Sequence, residues 1–132
     1  MKHLCLNCEK ADMVDDVRDV TVRAHGFSTV VAGIKGWFCP NCGEIEFTGK
    51  GDGERYDAAL RGLAEQESQY LAQVRRRLKL SQKQAAEIAG GGVNAFSRYE
   101  RGVARPVAAV VNLFRLLDKH PELLKELPAA DA

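Results

Sequence analysis

The first third of the chain alternates in the manner of a small sheet. Val20, Val22 and Ala24 are spaced by Thr21 and Arg23, which predicts a half-buried strand. His25-Gly26 reads as a turn, and Phe27 to Ile34 as a second strand with Gly33 as a candidate bulge. Trp37-Phe38 leads onward, and Ile45 to Phe47 reads as a third strand. A breaker cluster of Gly49, Gly51, Asp52 and Gly53 follows. From Glu54 to Gln66 the period changes to that of a helix, with Tyr56, Ala59, Leu60 and Leu63 on one face. A hinge is expected near Gln66–Gln69, although the helical pattern nearly continues across it.

Beyond Tyr70 every segment reads as helix. Leu71, Val74 and Leu78 mark one. Ser81-Gln82-Lys83-Gln84 has the form of a capping box and opens a second, which Gly90-Gly91-Gly92 ends. Val93 to Arg101 predicts a third, with Val93, Phe96 and Tyr99 toward the core and Gly102 as its stop. Pro106 suits the first turn of a fourth, carrying Val110, Val111, Leu113, Phe114 and Leu117 to about His120. Pro121 starts a short fifth around Leu123, Leu124 and Leu127. The fold class expected is α+β: a small β domain with a helix over residues 1–66, and an all-α five-helix domain over residues 67–132.

Composition narrows the classes. The chain has 132 residues, 45% hydrophobic and 28% charged, which excludes a wholly disordered chain, a collagen or a coiled-coil rod. Its apolar runs are too short for a transmembrane helix, so no membrane role is expected. Met1-Lys2-His3-Leu4-Cys5 lacks the apolar core of a signal peptide, so a reducing cytoplasmic setting is expected. The formal charge of +1 conceals an asymmetry: residues 1–66 carry 8 basic and 11 acidic side chains, and residues 67–132 carry 11 basic and 7 acidic. An acidic half beside a basic half suggests two surfaces with two kinds of partner.

All four cysteines fall in two Cys-x-x-Cys pairs, Cys5/Cys8 and Cys39/Cys42. A two-residue spacer lets a tight turn aim both sulfurs at one ion, and two such turns supply the four thiolates of a closed tetrahedral zinc site. A β unit this small buries too little apolar surface to fold easily without one. One structural Zn²⁺ per chain is therefore expected. Three other readings stand beside it: four thiols with no metal, a redox dithiol at Cys39-Pro-Asn-Cys42, which looks like a glutaredoxin-type site, and a catalytic zinc. The dithiol leaves the second pair unexplained and lacks a βαβ setting. Deaminase-type zinc chemistry needs an H-x-E and P-C-x-x-C that the chain does not contain, and four cysteines leave no position for water. His3 and His25 read as exposed or turn residues.

Leu80 to Ile88, the glycine break and Val93 to Gly102 have the order of a helix-turn-helix, and Ala85 and Ala86 are small enough for close helix approach. Asn94 and Arg98 lie four apart on the face opposite Phe96, flanked by Ser97 and Arg101. Asparagine pairs with adenine and arginine with guanine in the major groove, and the N-terminal end of the second helix is where base edges are read. Gln82 is placed for a phosphate contact, and Arg75-Arg76-Arg77 with Lys79 and Lys83 favours the DNA backbone. Glu100 reads as structural, paired with a nearby cation. A plain helical hairpin with a solvated polar face is the alternative.

The run Gly90-Gly91-Gly92-Val93-Asn94-Ala95-Phe96-Ser97-Arg98-Tyr99-Glu100, the segment Leu116 to Leu124 and the paired Cys-x-x-Cys motifs together resemble the MqsA (YgiT-type zinc-finger) antitoxins of bacterial type II toxin–antitoxin operons. The segment from Phe47 to Gln69 matches poorly. The resemblance implies a zinc domain that neutralises MqsR, an mRNA-cleaving ribonuclease, and a Cro/CI-type helix-turn-helix that dimerises on a palindromic operator in its own promoter. It places the zinc ligands on Cys5, Cys8, Cys39 and Cys42 and the base-reading residues on Asn94 and Arg98. The protein is then a non-enzymatic antitoxin and autorepressor in the cytoplasm, associated with the nucleoid when bound to DNA. The homodimer is expected to use the helices from Pro106 to Leu127. The alternatives are a stand-alone zinc-ribbon helix-turn-helix regulator with no toxin, and a redox enzyme using Cys39 and Cys42.

Overall fold

The computed structural model describes residues 2–128, so the outermost ends of the expected domains 1–66 and 67–132 lie outside it. The architecture is α+β, as expected. Strands β1 (Val14–Ala24), β2 (Phe27–Phe38) and β3 (Ile45–Phe47) form an antiparallel sheet in the order β1-β2-β3. Helices α1 (Asp52–Arg77), α2 (Gln82–Ala89), α3 (Ala95–Glu100) and α4 (Ala108–Lys119) follow, then a 3₁₀ helix over Pro121–Glu126. Among the described residues no helix is long and apolar enough to cross a membrane. The chain divides into one unit of residues 1–23 with 28–61 and a second of residues 24–27 with 62–132.

In the first unit the strands run longer than alternation predicts. β1 begins six residues before Val20, in the acidic stretch Val14 to Asp19, whose side chains are all exposed. Backbone pairing does not require a buried face, and a polar strand therefore escapes a hydrophobicity pattern. β3 pairs with the end of β2 in the register Gly36↔Phe47, Trp37↔Glu46 and Phe38↔Ile45. Val31, Ile34 and Phe38 of β2 are buried. The first turn of α1 is tied to β2 by the buried Asp52, whose carboxylate accepts from the Lys35 amide at 2.9 Å and from Arg55 at 3.0 Å. The amide first, then the guanidinium, hold this carboxyl below its usual range.

The hinge expected at Gln66–Gln69 is not a break, because α1 runs unbroken through it. The segment contains no glycine or proline, and its Glu67 is fully buried, accepting from the Arg105 guanidinium at 2.7 Å and bonded to the ring of His25. The division between the units falls one turn earlier, at Arg61/Gly62.

An apolar core of the second unit is formed by Leu71, Val74, Ala85, Phe96, Val110 and Phe114. Phe96 and Phe114 are fully buried with ring centroids 4.8 Å apart, and each contributes roughly 1.5–3 kcal/mol by leaving water. Helix α2 begins at the expected capping box: Ser81 Oγ accepts from the Gln84 amide at 3.1 Å, and Gln84 Oε1 accepts from the Ser81 amide at 2.8 Å. Helix α4 begins later than expected. Its N-cap is Val107, which leaves Pro106 just outside the helix.

Candidate functional site

The four cysteines converge. Two knuckles of like geometry deliver them: the amide of Glu9 donates to the Cys5 carbonyl at 2.9 Å, and that of Gly43 to the Cys39 carbonyl at 3.1 Å. Closing each knuckle puts the residue after its second cysteine at positive φ, +57° for Glu9 and +79° for Gly43. Glycine adopts that conformation without strain and glutamate does so at a cost. The Sγ atoms lie within 4.8 Å of one another, with Cys5–Cys42 and Cys8–Cys39 both at 3.7 Å. A tetrahedron with metal–sulfur bonds of about 2.3 Å has edges of about 3.8 Å, so the sulfurs fit one four-coordinate ion. A disulfide requires about 2.05 Å, and all four cysteines are free thiols. The cluster could hold a metal ion, and with every tetrahedral position taken by sulfur it has no vacant place for a substrate.

Each knuckle also brings an asparagine to a cysteine of the other, a feature the sequence reading missed. Asn7 Nδ2 donates to Cys42 Sγ at 3.6 Å, and Asn41 stands in the corresponding place beside Cys8. The signal was present as the same residue before the second cysteine, Cys-Leu-Asn-Cys and Cys-Pro-Asn-Cys. These bonds stabilise thiolate. Asn41, then the Lys10 amide, pull the Cys8 thiol down to about 6, and Asn7, then the Glu44 amide, lower that of Cys42. The Cys8 amide also lowers Cys5, but burial and the neighbouring Cys42 and Cys39 prevail and carry it up to about 11. His3 stacks on Trp37 with centroids 4.1 Å apart and bonds Glu46 at 2.8 Å, and His25 bonds Glu67, so neither joins the cysteine cluster. The core around the cluster is small, made of Cys5, Met13 and Cys39 with Cys8, Ala11 and Trp37 against it.

In the second unit, α2 and α3 have the helix-turn-helix order, and Ala85 and Ala86 are buried as close approach requires. Asn94 is the N-cap residue of α3, exposed, and its side chain makes no cap hydrogen bond. Arg98 is exposed one turn on, its amide donating to the Asn94 carbonyl at 3.0 Å. Arg101 Nε donates to both the carbonyl and the hydroxyl of Ser97 at 3.2 Å, which ties these two together at the far end of α3. Gln82, the first residue of α2, donates to Glu100 at 3.3 Å.

Two expectations are corrected. Val93 is not a core residue: it is 56% exposed. Helix α3 starts at Ala95, so Val93 lies in the turn before it, where helical periodicity has no force, and Ala95 is buried instead. The basic run is not a row of three unpaired cations. Arg75 forms a two-toothed pair with Glu100 at 2.7 and 3.0 Å, and Arg77 one with Asp118 at 2.9 Å on both arms. Arg76 remains exposed between them. Glu100 is structural and cation-paired, as expected.

Comparison with known proteins follows the same geography. The family model for the antitoxin component of bacterial toxin–antitoxin systems, MqsA, matches residues 1–128 and so spans both the cysteine cluster and the helix-turn-helix. Antitoxin MqsA of Escherichia coli (strain K12) is 41% identical over 129 residues, covering 93% of this chain and 98% of that protein.

Proposed function

Because this chain belongs to the MqsA antitoxin family, and is therefore an antitoxin, a regulatory protein and not an enzyme, we propose that residues 1–66 neutralise an MqsR-like mRNA-cleaving ribonuclease and that residues 67–132 repress the operon encoding both. The observation that carries the reading is the single match over residues 1–128, which joins a closed four-sulfur cluster to a helix-turn-helix.

Cys5, Cys8, Cys39 and Cys42 hold one structural Zn²⁺. When bound, the ion cross-links the two knuckles and supplies no reaction chemistry. The exposed acidic residues Asp12, Asp15, Asp16 and Asp19 give the first unit a surface suited by charge to a basic partner. In the second unit, Asn94 reads adenine and Arg98 guanine, with Ser97, Arg101 and Gln82 around them. A homodimer places two copies of α3 about one DNA turn apart on a palindrome. Val107, Leu116 and Leu123, large aliphatics left exposed within residues 106–127, support that dimer. The protein works in the cytoplasm, on the nucleoid when bound to DNA, and needs no membrane.

The test is to express the full chain with the protein encoded beside it. A stable complex that suppresses RNA cleavage, together with specific retardation of the chain's own promoter fragment, is the expected result. Promoter binding with no complex would leave a zinc-containing repressor without a toxin and overturn the first half of the proposal.

A further inference from the structure

We propose that the Arg75–Glu100 ion pair is a positioning element for DNA binding, which presents Gln82 to a backbone phosphate as a hydrogen-bond donor. The inference rests on the DNA-binding reading above and deepens it.

The geometry is that of a hub where three helices meet. Glu100 is the last residue of α3, Arg75 lies in the last turn of α1, and Gln82 is the first residue of α2. Glu100 Oε2 accepts from Arg75 Nε at 2.7 Å, and Oε1 accepts from Arg75 Nη2 at 3.0 Å and from Gln82 Nε2 at 3.3 Å. The remaining arm of the guanidinium donates to the Leu80 carbonyl at 3.0 Å, in the turn that joins α1 to α2. The side chains of Arg75 and Glu100 are 14% and 9% exposed, whereas Gln82 is exposed.

Two consequences follow from the donor inventory. A carboxylate only accepts, so the Gln82 amide must face Glu100 with its amino end, since its carbonyl would be repelled. That uses one N–H of Nε2 and leaves the other. Phosphate oxygens also only accept, so an oriented N–H is what a phosphate contact needs, and a freely rotating amide offers it only part of the time. The second consequence is electrostatic. A bare carboxylate beside this contact would repel the DNA backbone, and the two-toothed arginine neutralises it.

The test is a double-mutant cycle on the full chain, read by anisotropy with a duplex of its own promoter. One arm is Gln82→Ala. The other is Arg75→Met with Glu100→Met, which removes the pair without leaving a buried charge unpaired. Gln82→Ala is expected to weaken binding about threefold to tenfold. Replacing the pair is expected to cost a similar factor when Gln82 is present and less than about twofold in the Gln82→Ala background. Equal losses in both backgrounds would overturn the positioning role. A second measurement does not depend on the pair variant folding. In the ¹⁵N spectrum of the wild-type chain, the Gln82 side-chain amide should exchange more slowly than those of the exposed Gln66, Gln69 and Gln73; exchange as fast as theirs would overturn the proposal. Failure of the wild-type chain to bind its promoter would instead overturn the DNA-binding reading beneath it.

Discussion

Replacing Asn94 with alanine separates a base-reading residue from a helix cap, because the two roles predict opposite patterns. Asparagine at an N-cap ordinarily accepts from a backbone amide of the first turn, and its loss costs about 1 kcal/mol of stability. Asn94 makes no such bond, and its φ of −97° and ψ of 3° are not the extended conformation of a capping residue. Asn94→Ala should therefore change stability by no more than about 0.5 kcal/mol, as at other exposed positions. On DNA the expectation is reversed. A bidentate amide–adenine contact discriminates by about 1–3 kcal/mol, and a dimer on a palindrome makes it twice, for about 2–6 kcal/mol. At 1.4 kcal/mol per decade, operator affinity should fall by a factor of about 30 to more than 10⁴.

The assay is anisotropy with the promoter duplex and a scrambled duplex at one fixed salt concentration, alongside a thermal melt of the free protein. The expected result is an unchanged melting temperature, a large loss on the promoter and little change on the scrambled DNA. A melting temperature lowered by roughly 3–5 °C, with equal losses on both duplexes, would refute the reasoning and make Asn94 a cap.

Three further outcomes follow. Chelation, or Cys39→Ser, should release one metal ion per chain and unfold residues 28–47 while α2 to α4 stay helical; amide exchange resolved by residue checks this, and global unfolding would count against two separately folded units. Asn7→Ala should weaken metal binding about 10- to 100-fold with four thiols still bound, read by competition with a chromophoric chelator, because the Asn7 amide bonds Cys42 Sγ. Arg77, then Tyr70, hold the Asp118 carboxyl below its usual value. A lowered folded value means the pair stabilises the protein above the unfolded carboxyl value of about 3.9 and ceases to do so as pH falls through the folded one. Asp118→Asn should therefore melt below wild type at pH 7 and converge with it in strong acid; an equal gap at both would refute the ion pair.

The parts of the fold written in local patterns were legible in the sequence. The turn at His25-Gly26, the capping box at Ser81 and the glycine break before α3 each depend on a few adjacent residues, and each lies where the pattern puts it. Patterns of burial reach less far. The exposed half of β1 has no apolar face to betray it, and Val93 satisfies a helical spacing outside the helix. The continuity of α1 through Gln66–Gln69 depends on tertiary support, a buried Glu67 held by Arg105 and bonded to His25, residues 38 and 42 positions away. Propensity also favours helix there, since Gln66, Glu67 and Gln69 are good helix formers.

The candidate sites divide along the same line. Ligand spacing reveals the four cysteines, since a two-residue knuckle is a local solution to a coordination problem. The allocation of charge is not local. In Arg75-Arg76-Arg77, three identical side chains meet three different fates: one pairs with Glu100, one stays exposed and one pairs with Asp118. Successive residues on a helix point about 100° apart, so a run of like charges cannot present one face. Arg77 meets its carboxylate at the surface with its side chain half-exposed, whereas Arg75 turns toward the rest of the fold, where a carboxylate has to meet it or the charge is left poorly solvated. Arg75 shows what such a pairing adds beyond neutralisation. Its carboxylate partner keeps one accepting site to spare, and that site holds the amide of Gln82 at the start of α2.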